Sequence, residues 1–172
     1  RKLTFLDQRF VPREACSPAV AVADLPADSI RRSAGPLHFL FHTGFCCSTL
    51  LARALDMPGA SMGLKEPAVL TGFADHLPSR RRSVGALEAL SVTLNLLSRP
   101  LEGGEAQIVK PSTAVNSIIP ELLHTRPDAK AIVLFSTLDT FLRAVIRHGL
   151  AGRMFAREMC QQLARVSPLD TG

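Results

Sequence analysis

The residues with the clearest chemical potential lie in Phe41-His42-Thr43-Gly44-Phe45-Cys46-Cys47-Ser48-Thr49-Leu50-Leu51-Ala52-Arg53-Ala54-Leu55. An apolar run, Leu37 to Phe41, leads into a loop of small residues that ends in two hydroxyls. An amphipathic stretch follows at once. Strand, small-residue loop, Ser-Thr and helix form an anion cradle, because loop and first-turn N–H groups converge on one spot. Gly44, Phe45, Cys46, Cys47, Ser48 and Thr49 are therefore candidate phosphate-binding positions. Three further polar points follow apolar runs: Lys65-Glu66, Lys110-Pro111-Ser112 and Ser136-Thr137.

These points need elements to carry them. Leu37–His42 reads as a short buried strand. Ser48 is expected to cap a helix whose apolar face is Leu50, Leu51, Ala54 and Leu55, with Pro58-Gly59 as its stop. A second strand is expected over Ala60–Leu64 and a helix over Ala68–His76. Leu87, Leu90, Leu94 and Leu97 share one face of a stronger helix, Val84–Leu97. Ala106–Lys110 reads as strand and Pro120–His124 as a helix with proline in its first turn. The unbroken run Ala131-Ile132-Val133-Leu134-Phe135 suggests a strand, Lys130–Phe135, buried on both faces. A helix Leu138–His148 follows, with Leu138, Phe141, Leu142 and Val145 inward and Gly149 as C-cap. A last helix covers about 154–166. Residues 1–36, punctuated by Pro12, Pro18, Pro26 and Pro36, read as irregular.

Strands alternating with helices predict an α/β layered fold with a central parallel sheet. In such folds ligands sit beyond the carboxyl ends of the strands. That rule gathers the four polar points at one rim.

The 172 residues make one domain's worth of chain, and 47% apolar content suits a globular fold. No apolar stretch is long enough for a membrane helix. The first residue is Arg1 and the last ones are Leu169-Asp170-Thr171-Gly172, so the chain reads as a fragment of an incomplete single domain. The net charge of +5 favours an anionic partner. With no Trp or Tyr, stacking platforms for nucleic acid are scarce, and no nucleic-acid partner is expected. The run Arg80-Arg81-Arg82 reads as a solvated loop. Cys16, Cys46, Cys47 and Cys160 lack paired zinc spacing and suggest reduced thiols in a cytoplasmic protein.

The loop has no lysine and so is not the GxxxxGK[ST] form. Together with Gly63-Leu64-Lys65-Glu66-Pro67, Val109-Lys110-Pro111-Ser112 and Arg126-Pro127-Asp128-Ala129-Lys130-Ala131-Ile132-Val133-Leu134-Phe135, the order of motifs resembles sulfotransferases that use 3′-phosphoadenosine 5′-phosphosulfate (PAPS). The likeness is to their bacterial and tyrosylprotein-type branch and runs over residues 37 to 150. Phe45 stands where that family has a basic residue, Cys47 where it has glycine, and Phe135-Ser136 where an arginine is usual.

The resemblance implies a P-loop-type fold, PAPS as co-substrate with no metal, and transfer to a hydroxyl or amine of a small-molecule, glycan or peptide acceptor. It further implies that Gly44 to Thr49 bind the donor, that Lys110 is the cation at the leaving oxygen, that Glu66 is the general base, and that Ser136 and Arg143 meet the 3′-phosphate.

Other readings stand beside these. Ser48 and Thr49 also suit simple helix capping, Lys110 a solvated strand end, and Glu66 a first-turn carboxylate. Asp139, Arg143 and Arg147 suit a surface salt-bridge stripe. His42 suits a satisfied core histidine more than a base. Two other functions compete: a P-loop kinase, disfavoured by the missing loop lysine and by the lack of an acidic residue after Phe135, and a non-catalytic nucleotide- or partner-binding domain, favoured by Phe45.

Overall fold

The computed structural model describes residues 24, 35–77, 84–100 and 105–166. Four strands, β1 (Leu37–His42), β2 (Ser61–Lys65), β3 (Ala106–Lys110) and β4 (Ala131–Leu134), form one sheet in the order β2-β3-β1-β4, and every pair is parallel. Six α-helices flank it among the described residues: α1 (Ser48–Ala54), α2 (Ala68–His76), α3 (Val84–Leu97), α4 (Ile119–Thr125), α5 (Leu138–Arg147) and α6 (Gly149–Val166). A 3-10 helix, Thr113–Ile118, precedes α4 and had no counterpart in the sequence reading. The expected α/β layered fold with a central parallel sheet is present.

Strand alternation divides the sheet into two faces. Leu37, Phe39 and Phe41 of β1, Leu64 of β2 and Val109 of β3 face the main core. They meet Leu70 and Ala74 of α2, Leu90 and Leu94 of α3, Val115 and Ile118 of the 3-10 helix, and Leu122 of α4. The rings of Phe39 and Phe41 stack with centroids 5.3 Å apart. Each such large side chain contributes about 1.5–3 kcal/mol through burial.

The opposite face presents Leu40 and His42 of β1, Gly63 and Lys65 of β2, and Lys110 of β3. There α1 lies close, since a Cβ at Gly63 would sit 3.0 Å from the Ala52 carbonyl. Glycine here lets helix and strand approach each other.

Several expectations change in detail. α1 begins at Ser48, and its N-cap is Cys47 in a left-handed conformation (φ 61°) with no side-chain capping bond. Ser48 is thus inside the helix and not its cap. The buried face of α1 is Ser48 and Ala52, whereas Leu50 is exposed. The reason is the close approach to β2, which turns Ala52 toward Gly63 and leaves Leu50 outward.

β4 is the larger correction. It was expected to be buried on both faces, yet Ile132 and Val133, which alternate to opposite faces, are 48% and 59% exposed. Among the described residues β4 bonds only to β1, on one side. Leu138 and Leu142, expected inward on α5, are exposed as well, and only Val145 of that set is buried. The helix is oriented instead by Phe141, whose ring meets Phe45, and by the approach of α6 at Val145. Gly149 is left-handed (φ 58°) and begins α6 directly, which is therefore longer than the helix expected over 154–166. The expected features at residues 1–23 and 25–34 and at Arg80-Arg81-Arg82 lie outside the described residues.

The α5–α6 elbow is tight. A Cβ at Gly152 would collide with the Val145 carbonyl. Because backbone cannot yield as a side-chain tip can, Gly152→Ala is expected to destabilise the fold by about 2 kcal/mol. Urea unfolding of the two proteins checks this; equal midpoints would show that the elbow tolerates the methyl group.

Candidate functional site

Parallel pairing brings the carboxyl ends of the strands to one rim. Lys65 is in register with Lys110, and His42 with Leu134. The chain then leaves β1 through a strained loop. Gly44 (φ 82°), Phe45 (φ 48°) and Cys47 (φ 61°) are all left-handed. Glu66, the residue after β2, is left-handed too (φ 49°). Phe45, Cys47 and Glu66 are the three non-glycine residues with positive φ among those described, and all three stand at this rim. Such residues cost on the order of 1–3 kcal/mol each and concentrate where the surroundings hold a functional geometry.

Glu66 is held by its backbone: its N–H donates to the Lys110 carbonyl at 2.7 Å, one step beyond the β2–β3 ladder. The turn at Glu66 then lets its carboxylate meet the neighbouring strand. Lys110 Nζ donates to Glu66 Oε1 at 2.6 Å. The lysine side chain is 1% exposed and the glutamate 23%, so the pair runs from the sheet toward solvent through its carboxylate. Both members of the expected catalytic pair are thus together. That geometry excludes a solvated strand end for Lys110.

His42 joins the loop to this pair. The Gly44 N–H donates to Nδ1 at 3.1 Å, so Nε2 carries the proton and donates to the Pro111 carbonyl at 3.0 Å. Asn116 Nδ2 donates to the His42 carbonyl at 2.9 Å. The imidazole is buried and neutral, and its pKa is lowered from 6.5 to about 4. Burial is the main cause, followed by the Lys110 ammonium; the bond to Pro111 and the Glu66 carboxylate act weakly the other way. As expected, His42 is a satisfied core histidine. Its role as a tether between the loop and the end of β3 was invisible in the sequence, since Pro111 lies 69 residues away.

The remaining candidates divide. Gly44 and Ser48 are buried, Phe45, Cys46 and Thr49 half-buried, and Cys47 exposed. Cys46 Sγ donates weakly to the Leu134 carbonyl at 3.4 Å, which ties the loop to β4. Cys46, Cys47 and Cys160 are free thiols. Phe45 packs against Phe141, His148 and Phe155, with ring centroids 4.8–5.8 Å apart. Phe155 also covers Gly44, where a Cβ would lie 2.7 Å from its ring. An aromatic clamp from α5 and α6 therefore holds the loop at the position where the resembled family has a basic side chain.

Ser136 Oγ is buried with no partner among the described residues. Arg143 is exposed on α5 and pairs with Asp139 at 2.7 Å, which is the surface salt-bridge reading of that stripe. The sequence also missed Asn116 and the bond between Thr71 Oγ1 and Ser112 Oγ (3.1 Å), which ties α2 to the end of β3. Asn116 and Thr71 belong to no motif, and nothing local pairs either with its distant partner.

No group of three or more metal-ligating side chains is gathered among the described residues, and none of their helices is long and apolar enough to cross a membrane. No family model, curated protein or solved structure matches the chain.

The lowered pKa of His42 has a pH signature. Between pH 6.5 and about 4 the unfolded chain takes up a proton that the folded protein refuses. Stability is therefore greatest above pH 6.5 and falls as pH drops toward 4, by up to about 3 kcal/mol from this group. Unfolding midpoints measured from pH 7 to 4 should show the loss, and His42→Gln should flatten that part of the curve. A variant with an unchanged slope would assign the acid sensitivity to other groups.

Proposed function

We propose that this chain is the donor-binding part of a PAPS-dependent sulfotransferase-like enzyme of P-loop type. The observation that carries the reading is the Lys110–Glu66 contact of 2.6 Å, tethered through Pro111 and His42 to the Gly44 loop. A cation, a carboxylate and an anion-binding loop at one rim are the parts that sulfuryl transfer requires.

The chemistry follows from charge. A hydroxyl or amine of the acceptor attacks sulfur in line, and the bond from sulfur to the bridging phosphate oxygen breaks. The acceptor gives up its proton, for which Glu66 is the nearby base. Negative charge grows on the leaving phosphate oxygen, where the Lys110 ammonium and loop N–H groups stabilise it. The ground-state ion pair keeps both groups aligned until ligand enters. Ser136 Oγ, buried without a described partner, is suited to a phosphate oxygen. Arg143 is a weaker match, because Asp139 already engages it.

A second reading has its own support. Phe45 replaces the loop cation and is locked among Phe141, His148 and Phe155. That packing favours a domain that binds a nucleotide without turning it over.

Thermal shifts separate the readings. Stabilisation by 3′-phosphoadenosine 5′-phosphate, and not by ATP with Mg²⁺, is the expected result. A response to ATP with Mg²⁺ alone would sink the sulfotransferase reading. With PAPS and a panel of phenol, sugar and amine acceptors, Glu66→Gln and Lys110→Ala should each lower the release of 3′-phosphoadenosine 5′-phosphate about 100-fold or more. Wild-type binding with no turnover in the full-length protein favours the binding domain. Full activity in Lys110→Ala would remove that lysine from the mechanism.

A further inference from the structure

Lys65 is the charged residue of this rim that the mechanism above does not use. It closes β2 and is in register with Lys110 on β3. Registered residues of parallel neighbours project to the same face of a sheet, and Leu64 and Val109, one position earlier, both face the main core. Lys65 and Lys110 therefore project together on the opposite face, the face of His42 and α1.

Lys65 is only 6% exposed, and it has no ion pair or side-chain hydrogen bond with any described residue. Its neighbour Lys110 is 1% exposed and has Glu66. Two lysine side chains thus leave the sheet side by side, each more than nine-tenths buried along its length, and the contact at 2.6 Å answers the charge of only one of them. Burial of a cation without a partner is costly, and a like charge next to it adds to the cost. An arrangement of this kind is favourable once an anion supplies the missing charge.

We propose that Lys65 and Lys110 form a two-lysine seat for a multiply charged phosphate or sulfate ester group, with Lys65 binding the ligand directly. Under the sulfotransferase reading this group is the 5′-phosphosulfate of the donor, so that part of the assignment rests on that reading. The seat itself rests on register, burial and charge, and holds for any ligand bearing such a group. Lys65 is then a binding residue whose charge is retained at the expense of stability in the ligand-free protein.

That trade-off separates a ligand-binding lysine from a structural one. Lys65→Met keeps the stem and removes the charge. Its ligand-free melting temperature should equal or exceed that of the wild type. Its affinity for 3′-phosphoadenosine 5′-phosphate and for inorganic pyrophosphate, measured by calorimetry on the full-length protein, should fall at least about 10-fold. Lys65→Arg, which keeps the charge, should recover most of that loss. In the wild type, pyrophosphate should slow acylation of Lys65 by an amine-reactive reagent, a readout that needs no variant.

A lower ligand-free melting temperature with unchanged affinity in Lys65→Met would overturn the proposal, as would unprotected acylation of Lys65 at saturating pyrophosphate. Pyrophosphate binding that depends on Lys65, without binding of 3′-phosphoadenosine 5′-phosphate, would keep the seat and reject the sulfotransferase donor. Absence of binding by either anion would overturn the seat.

Discussion

The ammonium of Lys110 is almost wholly withdrawn from water at the end of a central strand, and a charge in that position needs a partner at hydrogen-bond distance. Glu66 supplies it, but only because the chain turns through a left-handed residue directly after β2 and because β2 and β3 are paired in register. That pairing leads to the other features of the rim. It fixes Lys65 beside Lys110, and on the other side of β3 the pairing with β1 sets the Pro111 carbonyl where His42 can reach it. Through His42 the end of β3 also holds Gly44 and the loop that follows. Loss of the β2–β3 register would part both Glu66 and Lys65 from Lys110.

The site concentrates local cost. Three left-handed non-glycine residues, a half-buried ion pair, a second buried lysine and a buried neutral histidine share one edge of the sheet. The main core on the other face, from Leu37, Phe39 and Phe41 across to Leu90, Leu94 and Leu122, provides the stabilisation that tolerates it. The two faces of β1 thus divide the labour: odd positions from Leu37 to Phe41 hold the fold, and the even position His42 organises the site.

The aromatic clamp adds a second constraint. Phe45 is held by Phe141, His148 and Phe155, and Phe155 also covers Gly44. The loop is therefore braced from outside by α5 and α6 as well as from below by His42. Under the proposed reading, braces of both kinds keep the loop N–H groups in one direction, and fixed dipoles stabilise developing charge without reorganising.

Local pattern was enough for the elements with strong periodicity. The bounds of α2, α3 and β3 and the parallel α/β arrangement are written in apolar spacing, turn residues and the alternation of strand and helix. The same rules placed Lys65, Glu66, Lys110 and the loop at one rim, because a parallel sheet puts its carboxyl ends together. What tertiary structure alone decided depends on partners distant in sequence. Ser48 fell inside α1 because Cys47 took up a left-handed turn. β4 had the composition of a strand buried on both faces, yet only β1 pairs with it among the described residues, and composition carries no information about neighbours. Side-chain pairing was equally hidden: contacts such as His42 with Pro111 and Phe45 with Phe155 join residues that share no motif. The amino-acid order determined which chemical groups reach the rim. Register, burial and the turn at Glu66 determined which of them touch, because hydrogen-bond and Coulomb interactions are set by distances that no local pattern encodes.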